Sequence, residues 1–143
     1  MLSISEPHKT ILADEIAFAR EKMDVESDTR KKVYYYSAVP AMIQRIFNID
    51  PNFDRQLVFM FTVLSASYNQ TKVFMDRIMA GDRLITPPEN FFDKISIYLQ
   101  ELEDKIRNNE DTYTILEKIA VSAYLLDGNG YYLHQKGWMK LPE

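Results

Sequence analysis

No cysteine occurs among the 143 residues, which excludes both a disulfide framework and a thiolate metal site. Glycine and proline are scarce, four and six respectively, so tight turns are few and the elements between them are expected to be long. The two histidines, His8 and His134, have neither a Glu three residues earlier nor a second His four away; di-iron bundles and the common zinc proteases need those spacings. A Gly-rich phosphate loop and a GxSxG nucleophile turn are also lacking. The sequence therefore assigns no metal, no cofactor and no catalytic residue. No apolar run is long enough to span a membrane, and MLSISEPHKT has no basic flank followed by an apolar stretch. The expectation is a cytoplasmic protein without a membrane partner, in which the NQT at Asn69 to Thr71 is no glycosylation acceptor.

What is present suits one globular domain over residues 1–143, because a chain of this size buries about 68–70% of its unfolded surface. A net charge of −4 and a pI near 5.2 argue against a nucleic-acid partner, whose footprint is usually a basic face.

Helical periodicity recurs in five segments and no convincing strand appears. From about His8 to Glu26, after a start signal at Ser5, Leu12, Ile16, Ala19 and Met23 form one apolar stripe, and Ile11, Phe18 and Val25 a neighbouring one; together they predict a broad buried face. The second segment, about Asp28 to Asn48, contains Pro40, which lacks a backbone donor and crowds the preceding turn. Because Tyr35, Val39, Met42 and Ile46 keep their phase across that point, the spacing predicts one helix kinked near Ser37 to Val39.

The third segment opens at IDPNF, with Asp50 as the expected cap and Pro51 in the first helical position, and runs to about Ala80 and Gly81. Its stretch LVFMFTVL is apolar on all sides, which predicts a central helix surrounded by others. TPPE starts the fourth as a capping box of Thr86 and Glu89. Its buried row is Phe91 or Phe92, Ile95, Leu99, Leu102 and Ile106, and the pairs Glu101 with Lys105 and Glu103 with Arg107 predict a solvated face. From about Asp111, the fifth buries Ile115, Leu116, Ile119, Ala123 and Leu126.

The closing stretch LLDGNGYYLHQKGWMK resembles a calcium loop only at its start. From Asp127 the third position, Asn129, fits, but Tyr132 stands where the loop needs glycine and Trp138 where it needs a bidentate Glu. A hairpin at Asn129-Gly130 lacks a free partner strand, and the span is too short for a helix-turn-helix. The expectation is a helix stop followed by a short helix or docked tail anchored by Trp138.

Three features could carry function. A polar layer, Ser67 and Thr71, interrupts the third segment's seam of Phe53, Leu57, Met60, Leu64, Phe74 and Ile78; with Tyr68, Asn69, Gln70 and Tyr124 it outlines a pocket between helices. The segment Arg30, Lys31, Lys32, Val33, Tyr34, Tyr35, Tyr36 interleaves base and aromatic as nucleic-acid contacts do, although Asp24, Glu26 and Asp28 dilute its field. Finally, nine Tyr, eight Phe, seven Met and one Trp exceed what a core of this size needs to hide, and interfaces favour such residues. The expected fold is an all-α, up-and-down bundle of about five helices. The expected function is a non-enzymatic interaction or assembly protein that self-associates or binds a protein partner. A small-molecule-binding or catalytic bundle is the alternative, and a nucleic-acid accessory protein the second alternative.

Overall fold

The second helical segment is interrupted at Ser37, three residues before Pro40 and within the span where the sequence places a kink. The computed structural model describes residues 1–81, 90–126, 136–137 and 140–143. Among the described residues six helical segments form: α1 Glu6–Val25, α2 Thr29–Tyr36, α3 Ala38–Ile49, α4 Arg55–Met79, α5 Phe91–Arg107 and α6 Tyr113–Leu125. Ser37, between α2 and α3, keeps a right-handed helical backbone (φ −58°, ψ −22°), so α2 and α3 form one bent rod. There is no strand among the described residues. The capping box at Thr86 and the closing stretch with Trp138 lie outside the described residues.

Side-chain contacts fix the directions of the rods. Lys32 donates to the Met23 carbonyl at 2.6 Å at one end of α1, and the Ser5 amide donates to Asp50 at 2.9 Å at the other, so α1 and α2–α3 run antiparallel. The α2–α3 rod opposes α4 through Tyr36 and Ser67 at 2.7 Å and the Phe47 and Phe61 rings at 5.8 Å. Ser96 meets Asp24 and Arg107 meets Asp14, at 2.6 and 2.9 Å, so α5 is antiparallel to α1. Lys118 meets Glu101 at 3.6 Å between α6 and α5. The rods thus neighbour one another in the closed order α1, α2–α3, α4, α6, α5. An odd number of alternating rods cannot close without one parallel pair. That pair is α4 and α6, whose N-terminal ends meet where Phe59 packs on Tyr113 at 5.2 Å.

Leu12, Ile16, Ala19 and Met23 lie in the core as the stripe predicts, and so do Phe91, Ile95, Leu99, Leu102 and Ile106 on α5. Several expectations are corrected. Ile11, Phe18 and Val25 are exposed by 43, 49 and 84%, because α1 has neighbours on two flanks and none on its outer face. On α2–α3 the buried row is Val33, Tyr36, Val39, Ile43 and Ile46, with Tyr35 and Met42 only half-buried. LVFMFTVL is not enclosed all round, since Val58 and Thr62 face outward, and Phe53 is 77% exposed.

Asp50 does not cap α4 either. The cap is Asp54, which accepts from the Leu57 amide at 3.1 Å and is tied to the Ser3 amide and hydroxyl. Glu103 is buried, not solvated, between Arg107 Nε at 2.8 Å and Arg20 at 3.4 Å, while Glu101 pairs with Lys118 and Lys105 with Glu110. The described end of the chain docks on α5: Leu141 packs against the core and Tyr98 donates to the Pro142 carbonyl at 2.5 Å.

Candidate functional site

Ser67 and Thr71 are fully buried where α4 passes the bend of α2–α3. The Tyr36 hydroxyl donates to Ser67 Oγ at 2.7 Å, and Thr71 Oγ1 donates to the Ser67 carbonyl one turn earlier at 2.7 Å. Burial pushes the Tyr36 pKa far above the usual phenol value, against a smaller opposing effect of the Ser67 bond, so the hydroxyl remains a donor. Each oxygen of the layer has a partner, and these groups serve packing and helix bonding.

Tyr68, the next residue, points elsewhere. Its ring meets Tyr36 edge-on at 6.5 Å and forms a wall of a surface groove of about 330 Å³ between α2 and α4. Arg30, Val33 and Tyr34 line it from α2, and Tyr68, Lys72, Met75 and Asp76 from α4. The groove therefore joins two clusters that the sequence keeps apart, the basic-aromatic segment and the polar layer. Lys72 and Asp76 stand 3.9 Å apart and well exposed, a weak pair by its solvation.

The remaining sequence candidates do not converge there. Asn69 is exposed and Gln70 half-buried, and neither lines the groove; Tyr124 is exposed on α6. Lys31 points to solvent, whereas Lys32 turns to α1 and lies 5.8 Å from the Phe92 ring centre. Tyr35 is half-buried, edge-on to Tyr34 at 5.9 Å. Trp138 lies outside the described residues. Sequence reading missed Lys72, Met75 and Asp76, although Tyr68, Lys72 and Asp76 fall four apart on one helix face.

A Ser/His/Asp cluster also forms. His8 Nδ1 lies 2.5 Å from Asp50 Oδ2 and 2.9 Å from Ser5 Oγ, which in turn donates to Asp50 at 3.0 Å. In a nucleophilic relay the acid and the hydroxyl hold opposite ring nitrogens. Here both meet Nδ1, so the cluster works as a clamp between the start of α1 and the end of α3. The bonds from His8, Ser5 and Asn52 hold the Asp50 carboxyl well below the usual carboxylate range.

Apolar side chains occupy outward positions on several rods. Ile11, Phe18 and Val25 lie opposite the core face of α1, and the exposed Phe47 and Phe53 line a hollow of about 190 Å³ at the α3–α4 turn. No helix among the described residues is long and apolar enough to cross a membrane. No family model matches the chain, and no match to it is found among curated proteins or solved structures.

Proposed function

We propose that the protein is a non-enzymatic interaction protein that acts as a homo-oligomer through the outer face of α1. The observation that carries this reading is the row Ile11, Phe18 and Val25, exposed by 43, 49 and 84% and repeating every seven residues along a 20-residue helix. A seven-residue repeat keeps one line of side chains toward a partner helix. The row is also symmetric about Phe18. A two-fold axis at that point stacks Phe18 on its own copy, sets Ile11 against Val25, and brings Lys22 of each copy toward Glu15 of the other. Such self-complementarity is what an isologous contact requires. Asp14, on the other flank, is already neutralised by Arg107 at 2.9 Å.

Native mass spectrometry and sedimentation of the full chain test this reading. The wild type is expected at twice the chain mass, and Phe18→Glu at the monomer mass with unchanged helix content. A wild type that stays monomeric at its highest soluble concentration, or a Phe18→Glu variant that still dimerises, overturns it.

A further inference from the structure

We infer that the groove between α2 and α4 binds a small planar aromatic monoanion, with its ring against Tyr34 and Tyr68 and its anionic group at Arg30 and Lys72. This inference stands apart from self-association, since the groove and the outer row of α1 share no residue.

The chemistry of the walls selects the ligand. Two tyrosine rings offer flat faces, and Val33 and Met75, both buried, form an apolar floor. Tyr68 is held in place by its edge contact with the buried Tyr36 at 6.5 Å, so one face is set before a ligand arrives, which lowers the ordering cost of binding. The Arg30 side chain makes no ion pair among the described residues, and its fork suits a planar carboxylate. Against Arg30 and Lys72 stands one acid, Asp76, so the lining carries one net positive charge. A monoanion matches that charge, whereas a dianion meets Asp76 without a further cation to offset it. A volume of about 330 Å³ lies at the small end of ligand pockets and suits one or two fused rings. A nucleic-acid strand is disfavoured by the neighbouring Asp28 and the chain's net charge of −4.

The probe is 2-naphthoate, titrated into the full-length protein and followed by NMR of the tyrosine ring protons and by calorimetry. A ligand of this size is expected to bind with a dissociation constant on the order of 1 mM. Arg30→Gln and Lys72→Gln are each expected to weaken binding about two- to fivefold, as exposed charge contacts do. Asp76→Asn should tighten it, because the repelling charge goes and Lys72 is released. Naphthalene-2-methanol, which lacks the charge, and cyclohexanecarboxylate, which lacks the ring, should both bind more weakly than 2-naphthoate. The inference fails if 2-naphthoate shows no saturable binding, if it binds equally well to the charge variants, or if Asp76→Asn weakens it. Binding that vanishes as the protein is concentrated would assign the groove to a second copy and overturn it as well.

Discussion

Tyr36 and Ser67 are joined by a 2.7 Å hydrogen bond between two wholly buried side chains, and this bond pins the bend of α2–α3 to α4. Tyr36→Phe should cost about 1–3 kcal/mol, because it leaves the buried Ser67 oxygen short of its donor. Adding Ser67→Ala should recover part of that loss. Urea unfolding of the two single variants and the double variant measures the coupling; strictly additive losses would show that the bond contributes nothing of its own.

Asp50 makes stability depend on acid. Its folded pKa lies below the ordinary 3.8, so the folded state holds the proton less tightly than the unfolded chain does. The stabilisation is therefore fully present above about pH 4 and is lost as the pH falls through and below that value. Asp54 acts in the same direction, since the bonds from Ser3 and Leu57 outweigh the opposing effect of burial. Chemical unfolding from pH 7 down to pH 2 should show the gap between wild type and Asp50→Asn closing on the acid side. A gap of constant size would contradict the clamp.

Glu103 should matter more than a helix-surface acid. Glu103→Ala strands the Arg20 and Arg107 contacts at 3.4 and 2.8 Å and is expected to cost about 1–3 kcal/mol. Glu103→Gln, which keeps one acceptor, should cost less. Thermal unfolding at low and high salt reads the difference, and the loss should persist in high salt because buried pairs are poorly screened.

Ile16 and Phe18, two residues apart on α1, should behave in opposite ways. Ile16→Ala removes a fully buried side chain and should cost about 2–5 kcal/mol. Phe18→Ser, on the outer face, should leave monomer stability within about 0.5 kcal/mol while weakening self-association. A dilution series of unfolding midpoints separates the two effects.

Much of the all-α bundle was legible because it depends on local rules. The kink follows from Pro40 three residues after Ser37, and the buried row of α5 from spacing alone. The start of α4 was not. IDPNFD offers two acids four residues apart, and Pro51 favours the first; but Ser5 and His8, more than forty residues earlier, occupy Asp50 and leave the cap to Asp54. Glu103 was misread for the same reason, since a pair rule within one helix has no knowledge of Arg20 arriving from α1. Half of the groove was visible in the spacing of Tyr68, Lys72 and Asp76. Its other wall, Arg30 and Tyr34, is brought there only by the antiparallel packing of α2 on α4.

The ring order has a consequence for the birth of the protein. α1, synthesised before the other described helices, has α2–α3 as one neighbour at once, but its other neighbour is α5, residues 91–107. On a ribosome, the flank of α1 that carries Arg20 and Asp24 therefore waits uncovered through the synthesis of α4, and the bundle closes only when a contact spanning most of the chain is made. Such long-range closure slows folding relative to a bundle whose rods pair strictly in sequence. It also leaves α6, which sits between α4 and α5 in the ring, as the piece whose late arrival turns a string of helices into a sealed core.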